Sequence, residues 1–267
     1  MPTVIPVSDP ADPRTADYRD VRERDLSGRD RLFIAEGEVV LRVLIGQQRF
    51  PVVSLMIAEK RLASLAELIG TLRAEVPVFA ATQAAMDAIV GFPLHRGIMA
   101  VARRPAELPA DALLGGLGRK ALVVALYGIG NHDNMGGIFR NAAAFGADAV
   151  ILDSDCCDPL YRKAIRVSVG AALVVPFARL QRGEDGLALF GRHELTALAF
   201  SPAGRIALAE VDAPERAAVL LGAEGLGLPP QILVRTTTVR IPMAAGFDSL
   251  NVATTAGIAL HHLTGRR

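Results

Sequence analysis

The stretch LLGAEGLG at residues 220–227 decides how the second half of this chain folds. It begins with apolar residues typical of a buried β-strand and continues into glycines at positions 222, 225 and 227. Glycine lets the backbone adopt positive φ and approach another group closely, as a ligand-binding turn requires. The same pattern fits a plain strand-to-helix turn with Pro229 or Pro230 at the first helical position. The stretch therefore predicts a strand followed by a turn, and it leaves open whether that turn binds a ligand.

Two more polar segments accompany this turn. NMGGIFRNA at residues 134–142 lies upstream, and IPM at 241–243 followed by DSLN at 248–251 lies downstream. The upstream segment has helical spacing, so positions 136, 137 and 140 share one face. The two glycines would clear space beside the guanidinium group of Arg140. We therefore expect Arg140 to face an open site.

The pattern around these segments predicts an α/β domain over residues 119–267. Residues 121–126 form a continuous apolar run, typical of a strand buried on both faces. Helices are predicted over 134–145 and 249–263. Further strands are predicted at 149–152, 173–176, 195–200, 218–221 and 239–241.

The first part of the chain predicts a second, smaller α/β unit over residues 31–107, with a parallel or mixed sheet. Residues 1–30 are predicted to form an arm that includes a helix over 15–25, and residues 108–118 are predicted to form a linker. In the small unit, helices are predicted at 36–46, 62–74 and 83–90, and strands at 52–58, 76–80 and 97–102.

Composition narrows the class of protein. The 267 residues carry a net charge of +1, which neither indicates nor excludes a nucleic-acid partner. No apolar run approaches the roughly 20 residues that span a bilayer, and the N-terminus lacks the pattern of a signal peptide. The two cysteines, Cys156 and Cys157, are adjacent and match neither a disulfide framework nor a zinc site. We expect a cytoplasmic protein that uses no metal and no membrane.

A dinucleotide-binding fold is the first alternative that these patterns raise. Gly128 and Gly130 follow a predicted strand and precede a predicted helix, as in a phosphate-binding turn. The third glycine of that fingerprint would fall at Asp133, whose carboxylate would repel a pyrophosphate. The pattern therefore disfavours an enzyme that uses a nicotinamide cofactor.

Taken together, the three segments resemble the motifs of the SpoU/TrmH branch of the SPOUT RNA methyltransferases. Residues 134–142 are similar to the first motif, 221–228 to the second, and 241–243 with 249–253 to the third. The resemblance extends over residues 119–267. The segments FIAEG at 33–37 and LHRG at 94–97 resemble the small RNA substrate-binding domain, akin to a ribosomal protein, that often precedes the catalytic domain.

This resemblance implies a deep trefoil knot that holds S-adenosylmethionine, and a homodimer whose catalytic site uses both subunits. It also implies methylation of a ribose 2′-hydroxyl in tRNA or rRNA, without a metal. The family usually has asparagine where this chain has Ala223. The residues implied in cofactor binding are Leu221, Gly222, Ala223, Gly225, Gly227, Ile241, Met243, Leu250 and Ala253.

The resemblance implies catalytic roles for Arg140, Glu224, Ser249 and Asn251 and a substrate-binding role for Asn134 and Arg140. Removing the proton from an arginine at neutral pH costs roughly 7–9 kcal/mol. We therefore expect Arg140 to stabilise the developing alkoxide and the adjoining phosphate rather than to act as a base.

Simpler structural roles remain open for the same residues. Arg140 could instead form a surface ion pair with Asp148 or Asp153, and Asn134 could cap its own helix. The N-cap of the last helix is predicted at Asp248 or Ser249.

Two other functions remain open as well. A base-methylating SPOUT enzyme would share the cofactor site, although the motif around Asn251 and the presence of Arg140 disfavour it. A noncatalytic RNA-binding or assembly factor fits the near-neutral charge and Ala223.

Overall fold

A computed structural model describes residues 2–19 and 31–265 of the chain. These residues form two compact units: one within Met1–Ala106 together with Leu160–Leu173, the other Glu107–Pro159 together with Val174–Arg267. In the described residues the strands are β1 (Val4–Val7), β2 (Leu32–Glu36), β3 (Val52–Ala58), β4 (Val78–Ala81), β5 (Ile98–Arg103), β6 (Ala121–Tyr127), β7 (Ala149–Leu152), β8 (Phe177–Arg179), β9 (Thr196–Phe200), β10 (Ile206–Ala207), β11 (Arg216–Gly222) and β12 (Thr237–Arg240). The α-helices are α1 (Glu38–Gln47), α2 (Ala66–Gly70), α3 (Gln83–Val90), α4 (Ala110–Gly115), α5 (His132–Ala144), α6 (Arg162–Val167), α7 (Gly186–Arg192), α8 (Pro230–Leu233) and α9 (Val252–Gly265).

The first unit is built on a mixed five-stranded sheet in the order β1-β4-β3-β5-β2. The strands β1, β4 and β3 run parallel, whereas β5 is antiparallel to both β3 and β2. The sheet buries an apolar core that includes Tyr18, whose hydroxyl is 2.8 Å from the Ser54 hydroxyl oxygen. The sheet of this unit is therefore mixed, one of the two sheet types that the sequence predicts.

The segment Leu160–Leu173 belongs to this first unit. Its helix α6 packs on β2, and Arg162 Nη1 donates to the buried Glu36 Oε2 at 2.5 Å. Close packing also places a Cβ built on Gly170 3.2 Å from Val43 Cβ. Because this segment lies far from β2 in sequence, the sequence pattern alone could not associate it with the first unit.

The second unit is built on an entirely parallel seven-stranded sheet in the order β10-β12-β9-β11-β6-β7-β8. All seven residues of β6 are buried, as its continuous apolar run predicts. The carboxyl ends of parallel strands lie at one edge of a sheet, so the loops after β9, β11 and β12 can meet there. This edge carries the candidate site described below.

Several predicted elements agree closely with the structure, and others are wrong in identifiable ways. The predicted strands at 52–58 and 149–152 and the predicted helix at 83–90 have the observed bounds. The predicted helix at 62–74 is wrong. Two 3₁₀ turns precede the short helix α2, and Ser64 Oγ in the second turn donates to the carbonyl of Arg61 in the first. Side chains of this kind compete with regular helix.

The predicted strand at 173–176 is also wrong. Residues Ala171–Leu173 form a 3₁₀ turn, since Val169 and Gly170 adopt positive φ just before it. The strand begins only at Phe177, after Pro176 has accepted a hydrogen bond from Val150 N.

At the N-terminus, the predicted helix over 15–25 is replaced by the 3₁₀ helix Pro13–Tyr18, and its remainder at 20–25 lies outside the described residues. At the C-terminus, the last helix begins at Val252 rather than at 249. No helix among residues 2–19 and 31–265 has the length and apolar character needed to cross a membrane.

Candidate active site

A cavity of about 600 Å³ lies within the second unit, at the carboxyl ends of β9, β11 and β12. Its volume is within the usual range for small-molecule sites. The residues that line it are Phe200, Ser201, Pro202, Leu221, Gly222, Ala223, Glu224, Gly225, Gly227, Val239, Ile241, Met243, Asp248, Ser249, Leu250, Asn251, Val252 and Thr255. The second motif (221–228) and the third motif (241–243 with 249–253) therefore line the same cavity.

The glycine turn after β11 folds tightly back on itself. Gly225 and Gly227 adopt φ of 83° and 67°, and Gly227 N donates to the carbonyl of Ala223 at 2.8 Å. A Cβ at Gly222 would lie 2.1 Å from the backbone carbon of Gly227, far inside contact distance. Any side chain at position 222 would therefore displace this wall of the cavity.

Another close backbone contact lies where the loop after β9 passes β12, whose residue Val239 lines the cavity. A Cβ at Gly204 would lie 2.3 Å from the carbonyl carbon of Val239. Ser201 N donates to the carbonyl of Val239, and Arg240 Nη1 donates to the carbonyls of Gly204 and Arg205. The loop is therefore fixed by backbone contacts rather than by a recognisable motif.

Seven cavity residues, which lie at the end of β9 and in the loop after it, in β12 and at or just before the first turn of α9, were not predicted as site residues from the sequence. They are Phe200, Ser201, Pro202, Val239, Asp248, Val252 and Thr255. The available signal was positional, because Ser201 and Pro202 directly follow a strand of the parallel sheet.

One side chain, that of Asn251, joins all three sequence motifs. Its Nδ2 donates to Asn134 Oδ1 at 2.8 Å and to Glu224 Oε1 at 2.9 Å. Its Oδ1 accepts hydrogen bonds from Ala253 N and Thr254 N at 2.9 and 3.2 Å. The two backbone bonds fix the amide so that both of its N–H groups point at the other two motifs.

These bonds also correct two predictions about helix capping. Asn251 itself caps α9, so the predicted N-cap at Asp248 or Ser249 is wrong. Asn131 Oδ1 accepts from Asp133 N and Asn134 N, so Asn131 caps α5 and the capping role considered for Asn134 is wrong too. Asn134 is instead buried, and its side chain accepts from Asn251.

Arg140 lies on the exposed face of α5 and makes no hydrogen bond or ion pair with any residue that the structure describes. The ion pair considered with Asp148 or Asp153 is not formed. Asp148 Oδ2 accepts from Leu122 N at 2.7 Å, and Asp153 Oδ2 accepts from Gly128 N at 2.9 Å. Both carboxylates thus accept hydrogen bonds from backbone N–H groups in or next to β6, and neither is paired with the Arg140 guanidinium.

The structure places the other predicted site residues in two groups. Eleven line the cavity: Leu221, Gly222, Ala223, Glu224, Gly225, Gly227, Ile241, Met243, Ser249, Leu250 and Asn251. Asn134 lies next to it through its bond to Asn251, whereas Arg140 is not a lining residue. Ala253 faces α5, where its Cβ lies 2.8 Å from the position of a Cβ on Gly137.

Ala223 is half-buried and packs against the loop that follows β6. A Cβ at Gly128 would lie 3.5 Å from Ala223 Cβ, and Gly128 has a φ of 68°. A longer side chain at position 223 would therefore have to be accommodated beside this loop.

The ionisation of the two cysteines argues against a thiolate nucleophile beside this site. Burial raises the pKa of the Cys156 thiol far above its ordinary value, and burial raises the pKa of Cys157 to about 11. Cys156 Sγ instead accepts a hydrogen bond from Ile129 N at 3.3 Å. Both thiols therefore stay protonated at neutral pH.

Known proteins show two kinds of similarity to this chain. Residues 121–261 match the model of the SpoU rRNA Methylase family. An uncharacterised tRNA/rRNA methyltransferase of Mycobacterium bovis is 40% identical over 268 residues, which cover 97% of this chain and 91% of that protein. An uncharacterised tRNA/rRNA methyltransferase of Synechocystis is 38% identical over 129 residues, 48% of this chain and 47% of that protein.

Solved structures share the fold over nearly the whole chain. An AdoMet-bound rRNA methyltransferase from Sinorhizobium meliloti superposes with a TM-score of 0.80 at 22% identity and covers 97% of both chains. The SpoU methyltransferase AviRb from Streptomyces viridochromogenes, in complex with AdoMet, gives a TM-score of 0.80 at 23% identity and covers 95% of this chain and 97% of its own. At these identities the likeness establishes the fold.

Proposed function

The chain belongs to the SpoU rRNA methylase family, and from this premise we propose that it transfers a methyl group from S-adenosylmethionine to a ribose 2′-hydroxyl of tRNA or rRNA. The observation that carries the proposal is the Asn251 amide, which joins Asn134, Glu224 and the start of α9 beside the cavity. Three segments that are distant in sequence thus converge on one polar centre.

The cavity fits S-adenosylmethionine in size and in the character of its walls. Its volume of about 600 Å³ suits a nucleoside carrying an amino-acid chain, and its walls combine apolar side chains with a backbone turn that has no side chains in the way. Gly222 and Gly227 provide this turn. When bound, the cofactor supplies an electrophilic methyl group on a sulfonium.

The proposed role of Arg140 is electrostatic. Its guanidinium is exposed and uncommitted among the described residues, so it can approach the ribose oxygen and the adjoining phosphate of an RNA. An arginine in a protein stays protonated, and a fixed positive charge stabilises the alkoxide that develops as the hydroxyl attacks.

The residues around Asn251 hold the reacting groups in place. Asn251 orients the Glu224 carboxylate along the cavity wall and the Asn134 amide beside it. Ser249 lies on the same wall, with its Oγ 3.4 Å from Asp248 Oδ1. Methyl transfer needs little proton chemistry beyond the loss of one hydroxyl proton, so the main contribution of these residues is orientation.

We also propose that a second copy of the chain completes the site. Arg140 does not line the cavity of its own chain, while large apolar side chains near the rim are exposed: Leu226 by 92%, Phe247 by 75% and Leu250 by 40%. A homodimer would cover these side chains and would let Arg140 of one subunit serve the cavity of its partner.

We propose that a deep trefoil knot surrounds the cofactor. The loop after β9 passes so close to β12 that a Cβ at Gly204 would lie 2.3 Å from the carbonyl carbon of Val239, a residue that lines the cavity. This contact between segments that are distant in sequence supports the proposal, because a threaded chain requires such contacts.

The proposed RNA substrate-binding domain is 31–107, followed by a linker at 108–118 and the methyltransferase domain at 119–267. The segment 1–30, predicted as an arm, contributes β1 to the sheet and Tyr18 to the core of the first unit. In the first unit, Glu38 accepts from both Arg42 and Arg61, and Glu36 accepts from Arg162. The Arg96 guanidinium lies beside Gly37. Three guanidinium groups thus bond two carboxylates and a fourth lies beside Gly37, and the excess positive charge suits an RNA backbone. Such a substrate places the enzyme in the cytoplasm.

The direct test is incubation of the purified protein with methyl-labelled cofactor and total RNA, followed by digestion to nucleosides. We expect the label on 2′-O-methylated nucleosides. Label found on a base would contradict the ribose assignment and would indicate a base-methylating enzyme.

A noncatalytic RNA-binding factor is the second candidate, because Ala223 stands where relatives usually have asparagine. Calorimetry with S-adenosylmethionine separates the two functions. An enzyme must bind the cofactor, whereas the absence of heat at millimolar ligand would favour the noncatalytic factor.

A further inference from the structure

Helices α5 and α9 touch with almost no side chain between them. A Cβ at Gly137 would lie 2.8 Å from Ala253 Cβ, and a Cβ at Gly257 would lie 3.2 Å from Asn141 Nδ2. Positions 137 and 141 are one turn apart on α5, as are 253 and 257 on α9, so the same type of ridge on each helix forms the contact. We call these four residues, Gly137, Asn141, Ala253 and Gly257, the helix clamp.

A hydrogen bond fixes the clamp along the helix axes. Asn141 Nδ2 donates to the carbonyl oxygen of Ala253 at 2.6 Å. The carbonyl belongs to the first turn of α9, and Gly257, one turn later, presents no side chain that would keep Asn141 away. The bond therefore sets where α9 begins relative to α5.

The clamp lies between the groups that the proposed reaction needs. Arg140 is the neighbour of Asn141, and Asn134 lies on the same helix and accepts from Asn251, the cap of α9. A displacement of α5 against α9 would move Arg140 and would lengthen the 2.8 Å bond between Asn134 and Asn251. If α5 is the helix that moves, the cavity wall keeps its shape, because no lining residue lies on α5.

We propose that Asn141 is a positioning residue, which holds α5 and α9 in the register that aligns Arg140 with the cavity. This inference rests on the proposed methyl transfer. Since a misplacement of about 1 Å can cost about 100-fold in rate, clamp variants should lose kcat while the affinity for the cofactor changes little. A residue that only stabilised the fold would leave kcat of the folded fraction unchanged.

The most specific test adds a methyl group on α5 and then removes the methyl group that faces it on α9. Gly137→Ala places a methyl 2.8 Å from Ala253 Cβ, so the helices must separate by about 1 Å to reach normal carbon contact. Ala253→Gly in the same chain removes the opposing methyl. We expect Gly137→Ala to lower kcat by about 100-fold and the double variant to restore it to within about threefold of wild type.

Gly191→Ala is the matched control. Gly191 lies in helix α7, and a Cβ there would meet no atom within 4 Å. Wild-type kcat is expected for this variant. Wild-type kcat in Gly137→Ala, or a double variant as slow as Gly137→Ala, would overturn the proposal.

Asn141→Asp tests the hydrogen bond with little change of shape. At about pH 8 the introduced carboxylate would face the Ala253 carbonyl oxygen and repel it. Because this contact raises the pKa of the carboxyl group, the group can hold a proton at about pH 6 and donate it to that oxygen. The ratio of the variant's kcat to that of wild type should therefore rise as pH falls. A ratio of one at every pH would overturn the role of Asn141, even if Gly137→Ala fails to fold.

One measurement needs neither RNA nor cofactor. In protein labelled with ¹⁵N-asparagine, the Asn251 side-chain amide signal, assigned with an Asn251→Ser variant, reports the bond to Asn134. The signal should shift in Gly137→Ala and return in the double variant. If wild type has no methyltransferase activity, the proposed function fails, but this signal still shows whether the helix clamp sets the geometry of the Asn134–Asn251 hydrogen bond. An unchanged signal in Gly137→Ala would refute the proposed role of the clamp.

Discussion

The cavity wall and the exposed face of α5 carry the two halves of the proposed chemistry, and they are built in opposite ways. On the wall, the Asn251 amide uses both of its N–H groups and its oxygen in hydrogen bonds within the chain. On α5, the Arg140 guanidinium has no partner among the described residues. The chain therefore satisfies the polar groups of this cavity wall by itself, whereas the charge of Arg140 remains available to another molecule.

The largest effect is expected on the α5 face. Arg140→Ala should lower kcat by about 10³-fold, because it removes the charge that stabilises the alkoxide, and should leave cofactor affinity unchanged. Arg192→Ala, which removes an exposed arginine paired with Asp111, is the control and should retain full activity. Single-turnover rates and calorimetry measure the two quantities. A weakened cofactor affinity in Arg140→Ala would contradict the proposal that the cavity wall binds the cofactor while Arg140 acts only on the rate of methyl transfer.

Arg140→Lys sharpens the assignment of that role. The lysine keeps a positive charge but lacks the planar fork, so part of the rate should remain. If Arg140 stabilises charge, the remaining rate should have the pH dependence of wild type. A new pH dependence in the variant would indicate that the guanidine acts as a base.

On the wall, Gly222→Ala should produce the opposite pattern. Its methyl would lie 2.1 Å from the backbone of Gly227, so the turn must open and cofactor affinity should fall by about 100-fold. Gly130→Ala, where a Cβ meets no atom within 4 Å, is the matched control. Cofactor affinity close to that of wild type in Gly222→Ala would show that this turn is not a wall of the cofactor site.

A smaller, pH-dependent effect on the rate of methyl transfer is expected from a substitution of Asn251, whose amide joins the three motifs. Asn251→Asp replaces the donor between Glu224 and Asn134 by an acceptor, so two carboxyl groups face each other. Like charges raise the pKa of such a pair, so one proton is taken up as pH falls. We expect methyl transfer about 10-fold below wild type at about pH 8 and closer to wild type at about pH 6. A pH-independent defect would contradict this role of the amide.

Those parts of the fold that depend on short runs of sequence, such as buried strands and glycine turns, could be predicted. The strand β6 follows from an unbroken apolar run, and the turn after β11 follows from its glycines. The 3₁₀ turn at Ala171–Leu173 escaped prediction because positive φ at Val169, a β-branched residue, gives no sequence signal.

The candidate site was predictable only in its parts. The resemblance placed Asn134, Glu224 and Asn251 in one site, but their bonding through a single amide depends on how β11, α5 and α9 pack. Ser201 belongs to no motif, and it lines the cavity because its loop crosses β12. Ala253 was predicted to contact the cofactor, yet the structure places it against Gly137.

The smallest effect concerns stability alone. Asn131→Ala removes the side chain that caps α5 and should cost about 1 kcal/mol in the free energy of unfolding. Because Asn131 does not line the cavity, cofactor affinity should not change. Denaturant unfolding and calorimetry on the same preparation test both statements, and a large loss of affinity would show that the cap and the cavity are coupled.

A heterodimer with one substitution in each subunit tests whether Arg140 of one subunit serves the cavity of its partner. Arg140→Ala and Gly222→Ala subunits carrying different tags are co-expressed, purified through both tags, and assayed for ribose-methylated nucleosides. The cofactor concentration is kept near the wild-type Kd, where the Gly222→Ala cavity is almost empty and each variant alone is nearly inactive. If Arg140 serves the partner's cavity, each heterodimer keeps one complete site and should show about half of wild-type activity. A heterodimer that forms and is as inactive as its parents would contradict a site shared between subunits.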